Sequence, residues 1–372
     1  MAEPALRVAL VHDWLTGMRG GEKVLESICR LFPGAPIFTL VHVRGSVSPL
    51  IESHPVRTSF IQRLPQPARW YRHYLPLFPA AIETFNTDGF DLIVSTSHCV
   101  AKSIVPTGRT LHVCYCHSPM RYAWDQFDAY FGVERIGALA NTLARPVLAW
   151  LARWDRDTAG RVDHFVANSA FVAGRIDRYY NRRASVLHPP VDVAFFTPGD
   201  DARGDYFLVV SALVPYKRLE IAIRAAHAIN APLKIVGTGP DLERLRAIAG
   251  PGVDFLGSVD APRLRDLYRG ARALVLPAEE DFGIAPVEAL ACGTPVVALG
   301  RGGATETIRP GVTGFLVSEQ TVDAFAAAMS AVRPEAFERA TLAAHASPFA
   351  VDRFEAEFSR IVHDELRRVT TC

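Results

Sequence analysis

The chain has 372 residues, 49% hydrophobic and 21% charged, with a formal net charge of +1. That length suits two domains better than one, and the near-neutral balance excludes a globally basic nucleic-acid binder. No run approaches the roughly 18 uncharged apolar residues that a membrane span requires.

Met1-Ala-Glu-Pro-Ala-Leu-Arg leads straight into a strand pattern without an apolar secretion signal, so the expected compartment is the cytoplasm. The six cysteines are Cys29, Cys99, Cys114, Cys116, Cys292 and Cys372. They lack metal-site spacing and lie mostly in apolar runs, which reads as buried reduced thiols.

In chain order, β-branched runs ending in small or polar turns predict strands at Arg7–Trp14, Asp91–Ser97, Thr110–His117 and His164–Ser169. A second series follows at Tyr206–Leu213, Leu233–Gly239, Val253–Gly257, Ala273–Pro277 and Pro295–Leu299. Apolar spacing predicts helices between them at Glu22–Leu31, Leu219–Ile229 and Asp241–Ile248. This alternation is that of parallel βαβ units.

The two series are separated by His188-Pro-Pro-Val-Asp and Thr197-Pro-Gly-Asp-Asp-Ala-Arg-Gly-Asp, a stretch suited to a domain boundary. The expected architecture is α/β, two Rossmann-like doubly wound parallel-sheet domains facing across a cleft. The expected bounds are 1–188, 189–346, and a tail 347–372. Within the tail, Ser347–Arg368 reads as an amphipathic helix with Phe354, Phe358, Ile361 and Val362 on one side, packing back toward the N-terminal domain.

The most informative segment is Glu279-Glu-Asp-Phe-Gly-Ile-Ala-Pro-Val-Glu-Ala-Leu290. Pro286 suits a first helical turn and Gly293 a C-cap, so Glu280 precedes a helix and Glu288 lies within it. Gly283 permits close approach of a ligand to the backbone, and the helix start offers free amides to sugar or phosphate oxygens. Acids also favour helix N-termini without any ligand. That suffices for Glu279 and Asp281 but not for Glu288, which sits in the apolar run Ala285–Ala291.

Lys217, in Ser211-Ala-Leu-Val-Pro-Tyr-Lys-Arg218, follows a strand and opens a helix. It is one of only four lysines among 40 basic residues, and it can meet a diphosphate or remain a solvated surface charge. Val236-Gly-Thr-Gly-Pro-Asp-Leu-Glu243 places Gly237 at a βα turn, but Leu242 stands where a dinucleotide fingerprint needs Gly or Ala. Arg301-Gly-Gly303 is a further glycine loop before a helix.

Together these features resemble the large retaining glycosyltransferase family with the GT-B fold, known as family four. The resemblance spans nearly the whole chain and rests most on Glu280 and Glu288. It implies that Glu280, with the amides of Phe282, Gly283 and Ile284, holds the donor sugar, and that Glu288 binds the donor ribose. Lys217 matches a lysine on the donor diphosphate. Gly20 and Gly21, in Thr16-Gly-Met-Arg-Gly-Gly-Glu-Lys23, match a phosphate-facing glycine loop. His117, in Tyr115-Cys-His-Ser-Pro119, matches a histidine near the transferred sugar. The chain departs from the family at Ala212, where an arginine is common, and Arg218 is the candidate substitute cation.

The resemblance implies transfer without a metal or cofactor. His12-Asp-Trp-Leu15 and Val214-Pro-Tyr-Lys-Arg218 are similar to bacterial mannosyltransferases of surface-polysaccharide assembly. This implies a GDP-mannose donor and a glycan or polyprenyl-diphosphate-linked acceptor.

Basic and aromatic residues interleave at Arg63–Ala80 and Arg145–Arg161, a pattern suited to peripheral contact with the inner face of a membrane or to snorkelling over the protein's own core. The alternatives left open are a catalytically silent sugar-nucleotide-binding subunit, an epimerase or phosphorylase on the same fold, and, more distantly, an NAD oxidoreductase.

Overall fold

The computed structural model describes residues 6–127, 132–200 and 202–371; Met1–Ala5, Asp201 and Cys372 of the sequence reading lie outside the described residues. The chain divides into two compact units. One runs to Pro190 and takes in the residues from Phe354 onward; the other is Val191–Arg353.

The first unit is built on a parallel sheet of β1 (Val8–His12), β2 (Ile37–Thr39), β3 (Val56–Thr58), β4 (Leu92–Ser97), β5 (Leu111–Cys116), β6 (His164–Ala167) and β7 (Ala184–Val186), in the order β3-β2-β1-β4-β5-β6-β7. The second unit has β8 (Phe207–Val210), β9 (Leu233–Val236), β10 (Val253–Gly257), β11 (Ala273–Leu276), β12 (Val296–Leu299) and β13 (Gly314–Val317), also all parallel, in the order β10-β9-β8-β11-β12-β13. In each sheet the order reverses beside a central strand, β1 against β4 and β8 against β11. Doubly wound sheets receive ligands at the carboxyl ends of strands at such a reversal.

The central strands β1, β4, β5, β11 and β12 are buried at every position. This is why they read as continuous apolar runs instead of alternating ones. Four strands escape the sequence reading: β2, β3, β7 and β13. Each has three or four residues, and β3, β7 and β13 lie at sheet edges. Segments that short carry too few residues to show a period.

The expected helices appear at Gly20–Leu31, Leu219–Ala228 and Leu242–Ile248. The tail helix runs Val351–Thr371. Its Phe354, Phe358, Ile361 and Val362 are buried in the core of the first unit with Leu10, Leu25 and Ile28. Full burial of side chains of this size stabilises by about 1.5–3 kcal/mol each. Arg30–Glu355 at 2.6 Å and His164–Glu365 at 3.1 Å flank that seam.

A buried polar knot fixes the loop after β4. Lys102 Nζ lies 3.0 Å from Asp155 Oδ1 and donates to the Asp155 carbonyl at 2.6 Å. Trp124 and Tyr180 both donate to Asp155 Oδ2 at 2.8 Å. Loop, long helix Val133–Asp157 and helix Ala170–Tyr180 are thereby tied to one carboxylate. The cysteines Cys29, Cys99, Cys114, Cys116 and Cys292 are buried and not disulfide-bonded, and burial pushes the Cys29, Cys114 and Cys292 thiols up to about 12.

Candidate active site

In the second unit, Lys217 ends a single helical turn, Pro215–Lys217, just beyond β8. The segment leading to it lies directly on the β9 turn. Ser211 donates to the Val236 carbonyl at 3.0 Å, Leu213 to that of Thr238 at 2.9 Å, and Asp241 to that of Leu213 at 3.0 Å. A Cβ on Gly237 would stand 1.9 Å from the Ser211 carbonyl oxygen, and one on Gly239 would stand 2.2 Å from that of Leu213. The crossing backbone thus already requires both glycines, whatever Gly237 does for a ligand.

Lys217 forms an ion pair with Glu280, both side chains being largely buried. Glu280 sits in the turn between β11 and helix Ile284–Ala291, whose N-cap Gly283 adopts a φ of 87°. Gly302 and Gly303 press against this turn from behind. Glu280 bridges to Gly302 in parallel, Gly303 donates to the Glu280 carbonyl at 2.8 Å, and a Cβ on Gly302 would stand 2.2 Å from that oxygen. The Arg301-Gly-Gly303 loop therefore has a firm task, holding the carbonyl edge of Glu280 so that its side chain faces Lys217.

Glu288 is buried within helix Ile284–Ala291, and its Oε2 accepts from the Tyr268 hydroxyl at 2.9 Å. Burial, with the facing carboxylate, holds the Tyr268 hydroxyl well above its ordinary range, so it remains a donor. Phe282 packs its ring against Phe349, 5.7 Å between centroids, in the core. Only the backbone of Phe282 is left to meet a ligand, while Ile284 stands partly buried at the core edge. Arg218, the candidate second cation, has a left-handed φ of 53° and binds Glu220 at 2.7 Å; Arg244 also reaches Glu220. Its guanidinium is thus engaged by a carboxylate.

In the first unit, the named residues collect where β1 and β4 part. Gly20 and Gly21 begin helix Gly20–Leu31, and Glu22 accepts from the Arg19 amide at 3.0 Å as part of its cap. His117 follows β5, its amide donating to the Ser97 carbonyl at 2.8 Å. Burial, helped by the imidazoles of His98 and His12, pushes His117 down to about 3, so it is neutral at ordinary pH.

Three residues were not singled out from the sequence. Asp13 is fully buried and accepts from four consecutive amides, His98 at 2.7 Å, Cys99 at 3.0 Å, Val100 at 2.7 Å and Ala101 at 2.8 Å, with His98 Nδ1 at 3.0 Å. Burial works against its charge, but His98 and these amides outweigh it and hold Asp13 below the usual carboxylate range. His98 and Tyr268 are the others. The available signal for Asp13 and His98 was position, since each immediately follows a central strand.

Residues 204–333 match the family model for glycosyl transferases group 1, and residues 18–195 match that for glycosyltransferase family 4. Both matched segments are glycosyltransferase domains. The chain is 32% identical over 242 residues to the D-inositol 3-phosphate glycosyltransferase of Mycolicibacterium smegmatis, covering 56% of each. It is 34% identical over 268 residues to that of Salinispora arenicola, covering 58% of this chain and 60% of the relative.

The alignments thus span a little over half the length of these curated relatives. The fold is shared with the Anabaena protein HepE in complex with UDP and glucose, with a TM-score of 0.71 at 18% identity over 96% of this chain and 99% of that one. It is shared also with sucrose-phosphate synthase from Thermosynechococcus elongatus, with a TM-score of 0.71 at 18% identity over 97% and 100%. The fold is thus that of GT-B proteins, with each unit built on its own parallel sheet. No helix among the described residues is long and apolar enough to cross a membrane, and none of their His, Cys, Asp and Glu side chains cluster as a metal site.

Proposed function

We propose that this chain is a metal-independent, retaining hexosyltransferase that moves a sugar from a nucleoside-diphosphate donor to a glycan or polyprenyl-diphosphate-linked acceptor. The observation that carries the reading is the Lys217–Glu280 ion pair at the start of helix Ile284–Ala291. The pair sets a cation suited to a diphosphate beside a carboxylate suited to sugar hydroxyls. The donor then separates the two charges, its diphosphate taking the lysine and its hydroxyls the carboxylate.

As the anomeric bond breaks, negative charge grows on the departing diphosphate. Lys217 and the amides at the helix start oppose that charge without reorganising. Glu288, bonded by Tyr268, is assigned as the ribose-hydroxyl acceptor, and neutral His117 as a hydrogen-bond partner for the transferred sugar. Gly20, Gly21 and Gly237 are assigned to backbone approach toward phosphate, with Phe282, Gly283 and Ile284 presenting amides to the sugar.

GDP-mannose is the favoured donor, on the likeness to bacterial polysaccharide mannosyltransferases. UDP-glucose is the comparison, since HepE is known in complex with it. Exposed Leu139, Leu143 and Trp150 along helix Val133–Asp157, with Trp70 and Leu77, support peripheral membrane contact beside Arg145, Arg153, Arg69 and Arg72. Tyr71, Phe78, Leu148 and Leu151 of the same stretches are core residues instead. Incubation with radiolabelled GDP-mannose or UDP-glucose and polyprenyl-diphosphate oligosaccharides tests the reading. Expected is α-linked transfer from one donor; transfer from neither refutes it.

A further inference from the structure

Helix Val133–Asp157 carries large apolar side chains on its outer face as well as its inner one. Asn141, Leu148, Leu151 and Asp155 are buried on the inner face. On the outer face Leu139 is 76% exposed, Leu143 63% and Trp150 42%. With the exposed Pro146 and Arg153 they recur every three or four residues, one helical row about 21 Å long. Single exposed leucines are ordinary, but a continuous row of large apolar side chains marks an interaction surface.

A second strip borders this row. Tyr71 and Phe78 share one core with Leu148 and Leu151, and Trp154 donates to Glu83 at 3.1 Å at the end of helix Phe78–Glu83. That strip exposes Trp70, Leu77, Arg63, Arg69 and Arg72. No acidic residue occurs between Glu52 and Glu83 or between Glu134 and Asp155. Arg63, Arg69, Arg72 and Arg153 have no carboxylate partner among the described residues, whereas Arg244 and Arg360 elsewhere on the surface each have one. The acids at the margin are already engaged, Glu83 by Arg161 at 2.8 Å and Asp157 by Arg156 at 3.1 Å.

We propose that the two strips form one face that docks flat on an anionic lipid bilayer. The leucines and tryptophans enter the boundary between headgroups and acyl chains, and the uncompensated arginines meet lipid phosphates. Such docking rests on the peripheral contact proposed above and adds to it a lipid charge and a helix orientation. A second copy of the chain fits the face poorly, because self-pairing would bring arginines together without a carboxylate between them. Nucleic acid fits it poorly too, since the leucines of the row offer bases no ring to stack on. The inner face is pinned, because Asp155 holds Lys102 from the loop after β4 and Trp124 from the loop after β5. Docking therefore holds the carboxyl ends of β4 and β5 in a fixed relation to the bilayer.

The test is sedimentation of the full chain with vesicles of phosphatidylcholine alone or mixed with phosphatidylglycerol. Affinity for the mixed vesicles is expected to be about tenfold or more higher, and to lose that excess as salt approaches about 1 M, where the screening length is about 3 Å. Arg69→Gln with Arg153→Gln is expected to lower affinity for the mixed vesicles about tenfold or more. Leu139→Gln with Leu143→Gln is expected to lower it on the same scale with every charge kept. All four positions are exposed, so Tm is expected to be unchanged in each variant. In a second measurement, brominated phosphatidylcholine in the mixed vesicles quenches tryptophan fluorescence, and Trp70→Phe with Trp150→Phe is expected to remove most of that quenching.

Equal binding to both compositions would overturn the proposal while leaving peripheral contact standing. Binding to neither would overturn both, as would wild-type affinity in the leucine variant overturn the docking face. Self-association of the wild type that the leucine variant loses would overturn it in favour of an interface between copies. GDP and UDP thermal shifts are read on the same samples. Anionic-vesicle binding without a nucleotide response sinks only the glycosyltransferase reading, and a nucleotide response without anionic-vesicle binding sinks only the docking face.

Discussion

Asp13→Asn isolates the contribution of one buried carboxylate to the loop after β4. Four amides and His98 Nδ1 converge on Asp13 at 2.7–3.0 Å. Asparagine offers one oxygen in place of two and turns an N–H₂ toward two of these donors. Two amide bonds are lost, each worth about 1.5–3 kcal/mol to a charged acceptor, so the expected cost is about 3–6 kcal/mol.

For a unit of this size that is a Tm fall on the order of 10 °C. Urea unfolding by circular dichroism measures it. Asp157→Asn, with its carboxyl 65% exposed, is the control and is expected within about 0.5 kcal/mol of wild type. The folded Asp13 carboxyl lies below its unfolded value of about 3.9, so its stabilisation is present above that value and declines as pH falls. The difference between variant and wild type is therefore expected to be flat from about pH 6 to 8. A cost under about 1 kcal/mol at pH 7 would refute the reasoning.

Other perturbations address separate parts of the structure. Lys217→Ala is expected to weaken nucleoside-diphosphate binding about tenfold or more by calorimetry and to lower Tm, because it leaves the largely buried Glu280 carboxylate without its cation. Glu288→Ala should sharply weaken nucleotide binding and Tyr268→Phe should weaken it less; unchanged affinity in both removes the ribose role. Gly302→Ala places a methyl 2.2 Å from the Glu280 carbonyl oxygen and is expected to lower stability by about 2 kcal/mol or more, checked by urea unfolding.

The pH prediction concerns two imidazoles that burial lowers, His112 to about 4 and His117 to about 3. The unfolded chain protonates them near 6.5 and the folded chain does not, so stability falls as pH drops below about 6.5. Near pH 5 their joint slope approaches about 2.7 kcal/mol per pH unit, and His117→Gln should remove about half of it.

The strands legible in the sequence were those buried on both faces, such as Leu92-Ile-Val94 and Phe207-Leu-Val209, because continuous apolar runs mark them. Short edge strands such as Val56–Thr58, only partly buried, carry no such mark. Glycines gave a mixed signal. The sequence marked Gly237 and Gly302 only as turn glycines, and coordinates show that Ser211 and Glu280 backbone oxygens are what exclude a side chain there. Asp13 and His98 were hidden because their bond spans 85 residues, and spacing along the chain does not reveal which strands neighbour each other. Lys217 and Glu280, 63 residues apart, were paired in role through family resemblance and are paired in space by the order β8-β11.

The central claim is a metal-free nucleoside-diphosphate site in the second unit. Thermal shifts of the purified protein with GDP, UDP, ADP and NAD, each with and without EDTA, test it most directly. Stabilisation by one nucleoside diphosphate, unchanged by EDTA and lost in Lys217→Ala, is the predicted result. Stabilisation by NAD alone, or by no diphosphate, would contradict the account.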